Sequence, residues 1–186
     1  KIGITADFFR DHRTDIFMSA NQRNITDYFG AQPVSANIGE TKSHGYELSL
    51  NLQNDFKELH YWANVNYTYA KDEIVYMEDP ALLSGYQKAQ GYQIGQMKSV
   101  VTEGYVDNWN EVYATTYWQQ QNQFKLPGDQ RLLDFNADGA INNFDVAPYA
   151  YPTRPQNTYN FSFGLEYKGL SFMAQFYGVY IVRRVY

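Results

Sequence analysis

The octet Tyr46-Glu47-Leu48-Ser49-Leu50-Asn51-Leu52-Gln53 alternates apolar and polar residues throughout. An extended chain therefore places Tyr46, Leu48, Leu50 and Leu52 on one face and Glu47, Ser49, Asn51 and Gln53 on the other. Past a turn at 54–58 the pattern resumes, with Tyr61, Ala63, Val65, Tyr67 and Tyr69 facing one way and His60, Trp62, Asn64, Asn66 and Thr68 the other, which predicts a hairpin. The same design recurs at 159–167, where Tyr159, Phe161, Phe163, Leu165 and Tyr167 alternate with Asn160, Ser162, Gly164 and Glu166. Lys168-Gly169 predicts a two-residue turn, with glycine supplying a positive φ. Leu170, Phe172, Ala174 and Phe176 continue the apolar face beyond it, and Ile2, Ile4, Ala6 and Phe8 predict a further strand running to about Met18. No helix of convincing length is predicted. The fold class is all-β and antiparallel.

Composition narrows what covers the apolar faces. Among 186 residues are 18 Tyr, 12 Phe and 3 Trp, so tyrosine, with an apolar ring and a wet hydroxyl, leads where a soluble core would favour Leu, Ile and Val. Fifteen Lys and Arg against 20 Asp and Glu argue against a nucleic-acid partner, which needs a basic excess. The absence of Cys removes disulfide scaffolds, thiolate zinc sites and cysteine nucleophiles. No apolar run approaches the ~18 residues of a membrane-spanning helix, and residues 1–9 lack the layout of a signal peptide. A membrane β-barrel stays open, because its alternating strands have low mean hydropathy.

Two coverings compete: a second sheet in a soluble sandwich, or lipid. Tyr61 and Tyr69 bracket one strand and Tyr159 and Tyr167 another. Eight residues at ~3.3 Å span ~26 Å, and a tilt near ~40° reduces this to ~20 Å, close to the ~25 Å apolar band with aromatic girdles of outer-membrane barrels. Connection lengths agree. Tight links follow Gln53 and Tyr167, whereas long ones separate Met18 from about Thr41 and about Val75 from Asn157, the alternation of short periplasmic turns and long extracellular loops. Parity then requires zero or two extra strands between Thr68 and Thr158, with 99–106 and 112–119 as candidates.

One segment carries ligand chemistry. Asp134-Phe135-Asn136-Ala137-Asp138-Gly139-Ala140-Ile141-Asn142-Asn143-Phe144-Asp145 matches a twelve-residue calcium loop: Asp134, Asn136, Asp138, Asn142 and Asp145 offer side-chain oxygens, Gly139 takes the sharp turn, and Ala140 offers its carbonyl. Calcium is the expected cofactor, in a structural role. The plain alternative is an Asx-rich turn that needs no ion. Asp at the last position is shorter than the usual Glu, and Pro148 blocks a long exiting helix. The Ile141-Asn142 pair resembles dockerin loops, but dockerins carry two repeats and one is found here.

Read together, several blocks resemble the C-terminal barrel region of SusC/RagA-type TonB-dependent outer-membrane transporters. They are Ile4-Thr5-Ala6-Asp7-Phe8-Phe9 with Arg13-Thr14-Asp15; Asn37-Ile38-Gly39-Glu40 followed by Gly45-Tyr46-Glu47-Leu48-Ser49-Leu50; Pro127-Gly128-Asp129 running into the 134–145 loop; and Tyr159-Asn160-Phe161 through Tyr167-Lys168-Gly169-Leu170-Ser171 to Gly178. The blocks keep the family's order and cover nearly the whole chain. Ala137 and Asn160 depart from the family's usual glycines. The resemblance implies a partial barrel domain over 1–186, an antiparallel meander of tilted strands from a closed transmembrane sheet of about 22. It places the calcium-loop-like motif in an extracellular loop over 126–157. It also implies TonB-energised uptake of oligosaccharides or peptides across the outer membrane of a Gram-negative, Bacteroidetes-type bacterium. Outer-membrane lipid, a SusD-like lipoprotein, and TonB acting through a plug are the implied partners. No plug or TonB box is found and the chain ends at Tyr186, so a fragment of a longer barrel is expected.

Lumen-facing Glu47, Asn51, His60, Trp62, Asn64, Asn66 and Glu166 line the passage on this reading, or simply hydrogen-bond plug and water as any polar lumen does. Trp109, Tyr113, Tyr117, Trp118, Gln119, Gln120, Gln121 and Asn122 suit sugar stacking, or the sheltering of a large loop by its own apolar cluster. An enzyme is not expected: His12, His44 and His60 are far apart, GxSxG and HExxH are absent, and Glu78-Asp79 lies beside Pro80. The alternative function is a soluble calcium-binding β-rich adhesion or binding module.

Overall fold

A computed structural model describes residues 1–25, 28, 30–114, 118, 119 and 125–183. In chain order its elements are β1 (Ile2–Met18), β2 (Ala36–Phe56), β3 (Leu59–Tyr76), β4 (Met97–Val100), β5 (Thr102–Tyr105), α1 (Trp109–Ala114), β6 (Trp118–Gln119), β7 (Gln130–Leu132), β8 (Ala140–Ile141), β9 (Val146–Ala150), β10 (Asn157–Tyr167) and β11 (Leu170–Tyr180). They divide into two units. One holds Lys1–Pro80, Ala89–Gly95 and Pro152 onward; the other holds Ala81–Lys88 and Gln96–Tyr151.

The first unit is a five-stranded antiparallel meander in the order β1-β2-β3-β10-β11, the wall of a partial β-barrel. Its register gathers the alternating residues into continuous rows. Ile4, Leu50, Val65, Phe161 and Phe176 lie side by side, and the next row is Ile2, Leu52, Ala63, Phe163 and Ala174. The opposite face carries Thr5, Ser49, Asn66, Asn160 and Tyr177, then Gly3, Asn51, Asn64, Ser162 and Gln175. A one-residue slip anywhere would mix the two faces, so burial chemistry alone specifies the register. The apolar face is uncovered: Ile4 is 75% exposed, Phe172 58% and Phe176 55%. Among the described residues the buried apolar side chains are Met18, Val106, Ile141, Ala147 and Pro152.

Aromatic rings are fitted into this wall over glycines on neighbouring strands. A Cβ at Gly164 would lie 2.5 Å from the Trp62 ring, one at Gly178 2.1 Å from the Tyr159 ring, and one at Gly45 2.5 Å from the Phe9 ring and 2.1 Å from the Tyr69 carbonyl. Each ring therefore lies flat across a strand that offers no side chain at that point.

The long connection between Val75 and Asn157 adds no strand to the meander, because β3 pairs directly with β10 from Leu59↔Tyr167 to Tyr69↔Asn157. The candidate strand at 99–106 is instead divided between β4 and β5, and that at 112–119 begins inside α1 and continues at 115–117, outside the described residues. The first hairpin is tighter than the turn expected at 54–58. Asn54, Asp55 and Phe56 stay in the ladder opposite Tyr61, His60 and Leu59, because the Asp55 carboxylate meets His60 Nδ1 at 2.6 Å and the Asn54 amide donates to the Tyr61 hydroxyl at 3.1 Å. Only Lys57-Glu58 turns. β2 also starts at Ala36 rather than near Thr41, since β1 accompanies it to Met18 across bulges at Arg13/Ile16 and Ile16/Phe17.

β10 and β11 have 11 residues each, whereas β1, β2 and β3, with 17, 21 and 18, run on past them at the end away from the hairpin turns. Loop residues are strapped to that end. Arg23 grips Glu78 through Nε at 2.6 Å and a second nitrogen at 3.0 Å, and donates to the Val34 carbonyl at 2.8 Å. The Arg23 hydrogen bond holds the Glu78 carboxyl below its usual range, against the opposing effect of burial.

In the second unit β4 pairs with β9 and β5 with β7, both antiparallel, and β6 pairs with β8 in parallel. Val106, 2% exposed, donates its amide to the Asp129 carbonyl and accepts from the Gly128 amide at 2.7 Å.

At the second hairpin, Lys168 (φ 47°) and Gly169 (φ 82°) both adopt left-handed backbone, as a type I′ turn requires. Gly169→Val should cost ~1–2 kcal/mol in equilibrium unfolding, whereas Lys168→Asn should be neutral or stabilising; equal effects would show that the turn does not set this hairpin. For the Arg23 strap, the folded carboxyl titrates below its unfolded value. Its contribution is therefore complete above ~4.3 and lost as pH falls through the depressed folded value. Hydrogen-exchange protection around Arg23 and Asn24 should hold from neutral pH through the ordinary carboxylate range and fall only below it, and Glu78→Gln should remove it at every pH.

Candidate functional site

The polar face of the meander is the first candidate. Lumen-type residues predicted from sequence are brought together: Asn51 lies opposite Asn64, Glu47 opposite Thr68, and His60 beside both Asp55 and Glu166. Ser49 Oγ donates to Asn66 Oδ1 at 2.7 Å, and Trp62 fills the space over Gly164. Amides and hydroxyls in a ladder donate and accept equally well. Glu47, Asp55 and Glu166 add negative charge to the same face.

Above it, at the long-strand end, is a cavity of about 280 Å³ whose lining includes Phe9, Asp11, Arg13, Lys71, Asp72 and Arg154. Asp11 is paired with Arg13 at 2.6 Å, and Asp72 accepts the Ile94 amide at 3.3 Å. Asp79 caps the amides of Ala89 and Gln90 at 2.9 and 2.8 Å, fixing where the 89–95 segment returns to the sheet. Periodicity missed this cavity because its walls come from segments about 140 residues apart in sequence, and only the register joins them.

The 134–145 loop is held by hydrogen bonds from its own amides to its carboxylates. Asp134 accepts the amides of Asp138 at 3.2 Å and Gly139 at 2.8 Å, and the fully buried Asp145 accepts those of Phe135 at 2.8 Å and Asn142 at 2.7 Å. Gly139 turns with φ 86°. Asn136 Nδ2 donates to Asp138, while the Ala140 carbonyl accepts from Asn142 Nδ2 at 3.2 Å. The donor set is all oxygen and carries three carboxylates, which suits a hard cation. Among the described residues, however, no three acidic or histidine side chains come together closely enough to hold an ion in this arrangement. The carboxylates instead cap the loop's own amides.

Trp109 and Tyr113 stack at 6.2 Å on one exposed side of α1. Tyr117 and 120–122 lie outside the described residues. Trp118 and Gln119 form β6.

No protein-family model matches the chain, and no curated protein does. Among solved structures, the chain is similar to a chain of the RagAB peptide importer in its closed-closed state, with a TM-score of 0.61 and 18% identity over 97% of this chain and 19% of that one. The open-open state gives 0.61 and 18% over 98% and 19%, and a structure of the RagAB peptide transporter gives 0.57 and 17% over 95% and 19%. Nearly all of this chain thus follows the fold of about a fifth of those longer chains, which is an antiparallel partial β-barrel.

Proposed function

We propose that the chain forms part of the barrel wall of a SusC/RagA-type TonB-dependent outer-membrane importer of peptides or oligosaccharides, with no catalytic role. The observation that carries this is the single-layer sheet whose apolar face, from Ile4 to Phe176, is left to the surroundings while its other face is an amide and hydroxyl ladder. Lipid covers such a face without a second sheet, and the water-filled lumen of a barrel accepts the other. Hairpin turns Lys57-Glu58 and Lys168-Gly169 then face the periplasm, and the long-strand end faces the outside of a Gram-negative, Bacteroidetes-type cell. Similarity to RagAB chains supports peptides as substrate class. The family resemblance supports a SusD-like lipoprotein outside and TonB acting through a plug.

The 134–145 loop would bind calcium on this reading, with Asp134, Asn136, Asp138, Asn142, Asp145 and the Ala140 carbonyl as ligands. The ligand order and the turn at Gly139 support it. The ion would draw carboxylates inward in exchange for amide contacts, and so order the loop before any partner meets it.

Phe163→Arg, in the middle of the apolar rows, should cost ~2–4 kcal/mol when the full-length protein unfolds reversibly from lipid vesicles. A soluble calcium-binding module would show no such penalty and would need no detergent, so detergent-independent solubility would overturn the barrel reading. Calorimetric titration with calcium should give a dissociation constant of ~10⁻⁴–10⁻³ M and lose its heat in Asp138→Ala. Heat unchanged in that variant means that the loop is only a turn.

A further inference from the structure

We propose that Arg10, His44 and Lys71 form a docking surface for the phosphate group of an anionic membrane lipid. The proposal rests on the barrel-wall reading for the orientation of the face. Arg10 pairs with His44 and His44 with Lys71 across three adjacent strands, with no bulge between this row and the apolar rows. Alternation therefore puts all three on the apolar face, next above the row Phe8, Tyr46 and Tyr69. His44 meets Tyr69 edge-on at 6.3 Å, confirming the shared side.

The order of chemistry up this face is that of a membrane boundary. Aliphatic and Phe rows come first, then the tyrosines, where Tyr46 lies 5.4 Å from Tyr69 and Tyr67 shares its hydroxyl with Tyr180 at 2.7 Å. The basic row follows one side-chain step later, ~7 Å along the strand and ~5 Å in height after tilt, the level of lipid phosphates above an aromatic girdle.

Charge satisfaction singles out this row. Immediately above it, His12 is bound to Glu40 at 2.5 Å and Lys42 to Glu73 at 3.1 Å, so that row is neutralised within the protein. Arg10 and Lys71 are exposed, and among the described residues no carboxylate or other partner reaches either side chain. Two uncommitted cations in a chain with a net charge of -5 face the side on which lipid lies. Their backbones stand two strand spacings apart, ~10 Å, a gap that two long side chains close on a single phosphate with the His44 ring between them. Arg supplies a bidentate fork and Lys a point charge. A soluble anion satisfies the same groups, but the tyrosine and apolar rows directly beneath match only a ligand with an acyl tail.

The test uses the full-length protein in nanodiscs of phosphatidylcholine with a minor fraction of phosphatidylglycerol, followed by detergent extraction and native mass spectrometry of the retained lipid. Wild-type protein should retain phosphatidylglycerol selectively. Arg10→Gln/Lys71→Gln should lower that retention about tenfold or more, while heat-modifiable electrophoretic mobility shows an intact barrel. Should the double variant not fold, each single variant is read in the same way. Arg154→Gln removes a cation at the cavity that Lys71 also borders, but lies off the row, and should leave retention unchanged. Unchanged retention in the Gln variants, an equal loss in Arg154→Gln, or equal competition by inorganic phosphate at matched concentration would overturn the proposal. Failure of the wild type to enter any bilayer would overturn the barrel reading and this inference together, whereas entry without selective retention overturns this inference alone.

Discussion

A sheet one layer thick cannot hide either of its faces, and this chain's architecture follows from that constraint. The ladder from β1 to β11 satisfies backbone amides and carbonyls internally, so the backbone makes no demand on the surroundings except at the two outer strands. Side chains alone then decide what each face can meet. Phe161 lies between Val65 and Phe176, and Ser162 between Asn64 and Gln175. Adjacent residues therefore give the strand one apolar and one polar face. Within this sheet the apolar rows pack only sideways on one another, because no second layer covers them.

The meander was legible because period two leaves a clear trace over eight or more residues, as in 46–53 and 159–167. Glycine at 169 marked the second hairpin for the same local reason. Local patterns failed where local preference lost to pairing. Asn54 and Asp55 are turn formers, yet cross-strand bonds to Tyr61 and His60 keep them extended. At 97–105, β4 and β5 are four residues each and pair with strands 30 to 50 residues further on. Strands that short carry too few alternations to reveal their length or their partner. Spacing in the 134–145 loop pointed to ion ligands, whereas Asp134 and Asp145 cap the loop's own amides; the 280 Å³ cavity was not legible, because strand register creates it.

Glycine placement couples sheet regularity to aromatic content. A large ring on a flat sheet normally competes with the side chain of the neighbouring strand. At Trp62 over Gly164, Tyr159 over Gly178 and Phe9 over Gly45 that competitor is absent. The rings can then lie along the wall rather than stand away from it. On the apolar face this keeps Tyr159 within the girdle, and on the polar face it keeps Trp62 from obstructing the space beside Asn51 and Asn64. Any Cβ at Gly164 or Gly178 would push a ring off the wall, so these glycines are fixed by their neighbours' rings rather than by backbone torsion.

The acidic excess has a structural explanation that a bare net charge conceals. Long connections must satisfy amides that no ladder reaches, and carboxylates are the strongest acceptors available for them. Asp79 caps two amides, Asp129 accepts from Leu126 at 2.7 Å, and Glu111 accepts from Asp107 at 3.1 Å. Asp134 and Asp145 each serve two or more within their own loop. Much of the negative charge is thus distributed among amide caps in the connections, where each carboxylate is held by nearby N–H dipoles. In the strands, charges on one row of the apolar face are paired, His12 with Glu40 and Lys42 with Glu73, while among the described residues Arg10 and Lys71 on the row below have no such partner. Net charge therefore does not describe the row of Arg10, His44 and Lys71, which register alone brings together.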